Sequence, residues 1–541
     1  MINPKDYGLT EEEYRKIVDD IGREPNHVEM GIYSAMWSEH CSYKHTKLLL
    51  KQLPTQSDSV VAGLGENAGA VAVGKDWNLV FKIESHNHPS YVAPFDGAAT
   101  GVGGLVRDVM AMGARPIGVK AILRFGDPSN PQNAKLIDEV RNGAAYYGSG
   151  CDVASLGEEL TVHSSFSSNP LVNVIVLGLA SSNAIMKSSA GKPGNLFVYF
   201  GRPTGTDGVN GASFASQGIQ EETTAKPPAG DASVGKDLMI ATLQLIESGL
   251  IEGLQDMGAA GLSSSSFEMA YKAGCGFTLN LNDVPKTDDR ISAYELMLSE
   301  TQERMLASVK PQNVDLVLKL LGDYPSLSAS VVGQITTEKQ AIISYHGQVA
   351  ACMPVQSVAD GFVRYPLNGN ESSGDGPVAW EDLLEIADEV ASIQVNTQGQ
   401  NRPLAASELA FQPVANNQGP CSAIVLPDLK KTVLLRTLSN GAEIYQNAYQ
   451  SVYSLVEQAY QDIKSQGGKP IALSDCVNCG DPDNPQVAHH ITEGMRGLAE
   501  ACRDYCIPII GGNVSLYNTT NDKSILSQFI VGMVGIMDME N

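Results

Sequence analysis

The chain has 541 residues, enough for three or four domains, and its 43% hydrophobic and 18% charged content is ordinary for a globular protein. A formal net charge of −24 argues against nucleic acid and anionic membrane surfaces as partners, while leaving room for a phosphorylated substrate in a locally positive pocket. The N-terminus shows no secretory h-region, no apolar run reaches bilayer length, and nine cysteines in so long a chain read as reduced thiols; together these predict a cytoplasmic protein.

In chain order, Thr10-Glu11-Glu12-Glu13 is a capping box and predicts a helix after Thr10. Apolar spacing predicts a second helix over 29–40, which runs into the dense cluster Trp37-Ser38-Glu39-His40-Cys41-Ser42-Tyr43-Lys44-His45. Cys41 and His40 invite a nucleophile–base reading. Adjacent helical residues diverge by about 100°, so His40 as an acid, base or orienting group is favoured.

Leu79-Val80-Phe81 reads as a short strand leading into Glu84-Ser85-His86-Asn87-His88-Pro89-Ser90, with Pro89 expected to end regular structure. A carboxylate, a hydroxyl, two imidazoles and an amide just after Lys82 are more than a polar turn needs, so the segment reads as a site at a strand end. Acidic and amide residues recur beside glycines. Asp108 ends Gly103–Asp108, Asp256 precedes Met257–Gly261, and Asn513 follows Gly511-Gly512. Oxygen ligands of this kind suit magnesium, and glycines let backbone amides approach phosphates, so the chemistry points to ATP with Mg2+. Gly230–Lys236 has P-loop spacing. However, Asp237 stands where Ser or Thr is needed and two prolines precede it, so it reads as a loop leading into a helix over 237–248.

A long repeat sets the architecture. Met112–Ile117 recurs as Gln466–Ile471, and Gly126–Gln132 as Gly480–Gln486, both at an offset of 354 (470 minus 116). The same offset pairs Ile137 with Ile491, Gly143 with Gly497 and Gly157 with Gly511, which marks a tandem domain duplication. Alternating helices and strands predict an α/β (α+β layered) fold. The expected organisation is a helical segment (1–55), a first domain (56–180), a different domain (181–364), a polar linker (365–403) and a second copy of the first domain (404–541). No second copy of the 181–364 domain follows. Cys476, Cys479, Cys502 and Cys506 have spacing that admits a zinc site, though small buried thiols are the simpler reading.

On WSEHCSYKHTK (37–47), KIESHNHPS (82–90), GAATGVGGLVRDVMAMGARP (97–116), LQDMGAAGLSSSSFEMA (254–270), MLSETQERM (297–305) and GGNVSLYN (511–518), the chain closely resembles the phosphoribosylformylglycinamidine synthase family, in its small synthetase-only type. That resemblance implies a duplicated aminoimidazole-ribonucleotide-synthetase-like fold in the order A1-B1-A2, with the second B domain missing. It also implies ATP-dependent amidation of formylglycinamide ribonucleotide through an iminophosphate, in purine biosynthesis. Ammonia is expected from a separate glutaminase subunit, with a small bridging subunit.

The resemblance further implies site roles. His40 and His86 are expected to be catalytic, with His86 the proton acceptor. Tyr43, Lys82, Asp475 and Gly512 are expected at ATP, and Glu84, Asp108, Asp256 and Asn513 at magnesium. Ser85, His86, Asn87, His88, Arg107, Glu300, Thr301, Gln302 and Ser515 are expected at the substrate. The chain departs from the family pattern at Pro228, where a substrate-contacting glutamine is usual, at Thr301 for serine, and at Asn478-Cys479-Gly480-Asp481 for Asn-Phe-Gly-Asn. The absent domain implies exposed apolar surface, covered by self-association or another partner, or a fragment of a longer product. Alternative readings are a paralogue acting on another amide and a non-catalytic ATP-binding scaffold.

Overall fold

The computed structural model describes residues 2–209, 211, 228–367, 411–414, 419–521 and 523–539. Most of the linker expected over 365–403 lies outside these residues, as does the start expected for the second copy.

Four helices lead the chain: α1 (Glu11–Ile21), α2 (His27–Met36), α3 (Glu39–Ser42) and α4 (Lys47–Leu50). At α1 the Thr10 side chain accepts from the Glu13 amide and Glu13 returns the bond, the capping box read from the sequence. The helix expected over 29–40 is two helices. A second capping box, Asn26 with Glu29, starts α2 at His27, and the chain then turns extended at Ser38. The fully buried Trp37 anchors this break by donating its Nε1–H to the Ser357 carbonyl, 3.1 Å. The N-terminal segment lies on the second domain, where Ile17, Met30, Tyr33 and Trp37 share a core with Phe197, Phe267 and Phe277.

The first sheet holds β1 (Val60–Ala62), β2 (Gly69–Ala72), β3 (Trp77–Ser85), β4 (Arg115–Phe125), β5 (Ala154–Val162) and β6 (Leu171–Ser181), in the order β1-β2-β3-β6-β4-β5. Helices α5 (Asn87–Val92), α6 (Pro94–Ala111) and α7 (Pro131–Gly150) accompany it. Pro89 therefore does not end regular structure. It sits in the first turn of α5, where an amide has no intrahelical acceptor and proline is tolerated.

The second sheet is made of β7 (Leu196–Gly201), β8 (Ile251–Asp256), β9 (Gly276–Asn280), β10 (Arg304–Val309), β11 (Ser328–Thr336), β12 (Gln340–Tyr345) and β13 (Gln348–Pro354). Its helices are α8 (Ala232–Glu247), α9 (Gly261–Ala273), α10 (Ala293–Leu298), α11 (Val314–Leu321) and α12 (Val355–Asp360). Helix α8 starts five residues before Asp237 because Asp231 caps it, accepting from the Ser233 and Val234 amides. The P-loop-like stretch is thus a capped helix start.

The third sheet runs β14 (Gln412–Pro413), β15 (Ser422–Leu426), β16 (Lys431–Ser439), β19 (Gln528–Asp538), β17 (Lys469–Asn478) and β18 (Ile509–Ser515) in spatial order, with α13 (Ala448–Ser465) and α14 (Pro485–Asp504) on its outer face. Adding 354 to the bounds of β3, α6 and α7 returns those of β16, α13 and α14 residue for residue. The duplication is therefore structural as well as sequential.

The two related sheets face each other. Leu79, Phe81, Ile83, Ile175 and Leu177 of the first pack with Val433, Leu435, Ile510, Ile530 and Val534 of the third in one core. The backbones approach so closely that a Cβ at Gly69 would lie 2.5 Å from the Ile510 carbonyl oxygen. Cys476 belongs to this shared core, whereas Cys479 and Cys502 belong to the core under α13 and α14, and Cys506 is exposed; the four thiols do not converge on one point. Among the described residues no helix is long and apolar enough to cross a membrane.

Truncating the buried Phe81 to Ala should cost about 3–5 kcal/mol in chemical denaturation. Because both sheets share that core, the loss should shift a single transition for the two copies. Separate transitions, with only one moved, would contradict the shared seam.

Candidate active site

The end of β3 builds the centre. Side chains alternate along a strand, so Phe81 and Ile83 enter the shared core while Lys82 and Glu84 point to the opposite face, toward α6. There Lys82 Nζ lies 2.6 Å from Glu84 and 2.8 Å from Asp108. The neighbouring Arg107 is buried, donates from Nη2 to the Gln302 side-chain oxygen (2.7 Å) and stands 3.6 Å from Asp256. Among the described residues its Nη1 has no hydrogen-bond partner and its Nε has only the 3.6 Å approach of Asp256, so the buried guanidinium keeps donor capacity that the described residues do not use.

The acids do not behave alike. Burial pushes Asp108 well above the carboxylate range; Lys82 opposes this, but the charges of Asp256 and Glu84 reinforce it. Burial also raises Asp256 against the pull of Arg107 and Lys82. Burial works on Glu84 too, yet the adjoining Lys82 ammonium outweighs it and holds this carboxyl below its usual value. The cluster has more acid than its two cations neutralise, a donor set that favours a further cation.

Burial lowers both histidines, His86 to about 4, so each imidazole is neutral near pH 7. His86 Nδ1 faces the Gly97 carbonyl at 2.5 Å, which makes Nδ1 the donor and leaves Nε2 as a proton acceptor. Glycines let α6 pack this close: a Cβ at Gly97 would lie 2.4 Å from the Ser90 amide nitrogen, and one at Gly101 2.9 Å from His86 Cβ. Cys41 is held as a thiol, pushed up to about 12 by burial, which removes the nucleophile reading weighed against His40.

The second copy completes the site across the shared core. Asn513 accepts from the Ser85 hydroxyl (2.6 Å) and extends Nδ2 to the Tyr43 hydroxyl at 3.5 Å. Asn87 donates to Asn478 (2.8 Å) and Ser515 (3.3 Å) and accepts from the Val172 amide (2.9 Å). Asp475 lies opposite Gly512 in the β17–β18 ladder, and burial raises its carboxyl to about 7. From the second domain, Glu300 accepts from the Ala260 amide and Gln302 joins Arg107. Thr301 instead turns its hydroxyl to Asp207 (3.1 Å) and the Gly205 amide (3.0 Å), away from that network. His88 is buried beside these residues in α5.

Sequence reasoning assigned no role to Asn478 or to the buried Asn173, which accepts from Asn478 at 3.1 Å. Nor did it single out Glu268, a carboxyl raised by burial and near the charges of Asp256 and Lys82. Glu268 lies inside a quoted motif; nothing local marks Asn173, whose partners are all distant in sequence.

Residues 65–180 and 421–534 match the AIR synthase related protein N-terminal domain, residues 192–346 its C-terminal domain, and residues 3–44 the formylglycinamide ribonucleotide amidotransferase linker domain. Over 541 residues the chain is 41% identical to the phosphoribosylformylglycinamidine synthase subunit PurL of Macrococcus caseolyticus, covering 99% of this chain and 74% of that one. The corresponding subunit of Staphylococcus saprophyticus is 40% identical, with the same coverage. Among solved structures, T. maritima PurL complexed with ADP superposes with TM-score 0.82 at 32% identity, and PurL complexed with FGAR with 0.81 at 31%; each match covers 98% of this chain and 83% of that one.

Replacing Lys82 by Met should leave Glu84 and Asp108 facing each other uncompensated, destabilising the fold by about 3–5 kcal/mol near pH 8. Both carboxyls would then have folded-state pKa values above their unfolded ones, so the loss should deepen as pH rises and shrink at pH 5.5. Thermal melts at the two pH values check this; an equal loss at both would show that Lys82 does not neutralise the pair.

Proposed function

Because the chain belongs to the phosphoribosylformylglycinamidine synthase subunit PurL family, we infer that it is an ATP-dependent carbon–nitrogen ligase of purine biosynthesis, converting formylglycinamide ribonucleotide, ATP and ammonia to formylglycinamidine ribonucleotide, ADP and phosphate. The observation that carries this reading is the β3–α6 cluster: an over-acidic set around Lys82 beside an arginine with unused buried donors. Such a centre holds a polyphosphate with its cation on one side and an anionic substrate on the other.

In this reading Lys82, Tyr43, Asp475 and Gly512 contact ATP. Arg107 clamps the ribonucleotide, with Gln302 fixing the plane of its guanidinium and Ser85, Asn87, His88, Glu300 and Ser515 shaping the pocket. Thr301 shapes the loop beside the pocket through Asp207, with its own amide and carbonyl held by Ser299 and Arg304. The γ-phosphoryl group passes to the amide oxygen, ammonia attacks the resulting iminophosphate carbon, and phosphate leaves. Neutral His86, with Nδ1 fixed on Gly97, takes a proton at Nε2 from the attacking nitrogen, and His40 supports it from α3.

Glu84, Asp108, Asp256 and Asn513 fit magnesium. Among the described residues no three His, Cys, Asp or Glu side chains form a cage, and Lys82 bridges two of the acids. Magnesium needs no such cage, since it binds through one or two carboxylates, waters and phosphate oxygens. When bound it screens phosphate charge. A separate glutaminase subunit with a small bridging subunit supplies ammonia, and the reaction takes place in the cytoplasm. Pro228, buried ahead of α8, is the one feature favouring a different amide substrate.

Steady-state ADP release with formylglycinamide ribonucleotide, ammonium chloride and magnesium tests the reading. His86→Ala should lower kcat by about 10²–10⁴-fold. ADP release that ignores the ribonucleotide, or that survives in the variant, would overturn it.

A further inference from the structure

The loop that leads into β10 carries a buried acid that none of the proposed steps uses. Glu303 directly follows Gln302, is fully buried, and holds a φ of +56°, a conformation few residues other than glycine adopt. Strain of this kind persists only where the surroundings impose it. Here the partners come from two domains. Glu303 Oε1 accepts from the Tyr147 hydroxyl of α7 (2.9 Å) and from the Asp231 amide at the start of α8 (3.2 Å), and Oε2 accepts from Arg202 Nη1, just past β7 (3.1 Å).

These bonds tie together pieces that the reading above places at the ribonucleotide. The neighbouring Gln302 side chain holds Arg107 Nη2 at 2.7 Å. Arg202, which also donates to the Ala229 carbonyl (3.2 Å), and the Asp231 amide fasten 229–231, the stretch that follows Pro228. Within the same loop the buried Arg304 donates to the carbonyls of Thr301 and Ser299, both at 2.5 Å. Burial raises the Glu303 carboxyl, opposed first by the charge of Arg107 and then by that of Arg202, so the acid stands within electrostatic reach of the clamp.

Tyr147 is packed so that its hydroxyl has one direction to take. Glycines from three segments close on the buried ring. A Cβ at Gly103 of α6 would lie 2.7 Å from its Cζ, one at Gly230 3.1 Å from its Cε2, and one at Gly235 of α8 2.4 Å from its hydroxyl oxygen. The duplication supplies a comparison. At the offset of 354, Ala501 stands for Tyr147 and Glu457 for Gly103, so the tyrosine and its glycine belong to the copy that bears the site and not to its mate.

We propose that Glu303 is a positioning residue for the amidation: anchored on Tyr147, it fixes the Gln302–Arg107 clamp and the 229–231 segment relative to each other, and so sets the seat of the ribonucleotide. The proposal rests on the reading above, in which Arg107 binds that substrate.

Two variants test it in the full chain. Glu303→Gln keeps the shape and removes the charge; Tyr147→Phe removes one hydroxyl inside an otherwise unchanged slot. With ATP and ammonium chloride, KM for formylglycinamide ribonucleotide should rise about tenfold or more in the first and several-fold in the second, while KM for ATP stays within about twofold. A tie that serves stability alone would lower the active fraction, so kcat would fall with both KM values in place. That pattern, an unchanged ribonucleotide KM in either folded variant, or a rise in step with the KM for ATP overturns the proposal. If Glu303→Gln does not fold, Tyr147→Phe decides by the same criteria. Hydrogen exchange of the ligand-free chain reads the tie without turnover. Amides of 229–235 and 299–303 should exchange faster in the variants, and those of β3 at the wild-type rate. Unaltered exchange at 229–235 overturns the tie. Faster exchange there, with a wild type that does not amidate the ribonucleotide, would instead sink the reaction assigned above and leave the tie standing.

Discussion

The face-to-face packing of the two related sheets is the constraint on which everything else depends. It buries one side of β3 so completely that the strand's alternation has no freedom. Phe81 and Ile83 belong to the seam, and Lys82 and Glu84 must therefore emerge toward α6. The same packing brings the ends of β17 and β18 against the end of β3, so Ser85 and Asn87 find Asn513, Asn478 and Ser515 some four hundred residues away. A site assembled in this way exists only when both copies are docked.

The duplication also shows what makes one position chemical and its mate inert. Carrying the site forward by 354 residues gives Arg436 and Asp462, which pair at 2.7 Å much as Lys82 and Asp108 do. Leu438, Asn440 and Gln461 stand where the site has Glu84, His86 and Arg107. In the reverse direction Gly512 and Asn513 map onto Glu158 and Glu159, which are tied to Arg141 and Lys120. The mate is thus filled by its own ion pairs, with acids and bases matched, whereas the site keeps an excess of acid and an arginine with open donors. That difference in local charge balance separates a structural contact from a place where charge must come from a ligand.

Much of this was legible in the sequence because the copies align without a gap. The 354-residue offset fixes α6 against α13 and α7 against α14 residue for residue, the polar segment at the end of β3 names Glu84, and the glycine-flanked acid and amide stretches name Asp108, Asp256 and Asn513. Local punctuation was less reliable. Pro89 looked like a stop but occupies a helix's first turn, and the 29–40 helix breaks at Ser38 because the buried Trp37 is anchored on Ser357, far along the chain. In the Asn173–Asn478–Asn87 chain, Asn87 stood in a motif already read as a site and Asn478 in a stretch that departs from the family pattern, but Asn173 had no signal at all. An asparagine in a strand carries no period or motif, and its meaning lies entirely in partners that only the docked sheets bring close.

The central claim is that the site is a single unit built from both copies. A double-mutant cycle between Ser85→Ala and Asn513→Ala, read as kcat/KM for ribonucleotide-dependent ADP formation, tests it most directly. The two side chains meet at 2.6 Å across the seam, and the account predicts a coupling of about 1–3 kcal/mol between them. Effects that add to within about 0.5 kcal/mol would contradict it, showing that the two copies act independently at the reacting centre.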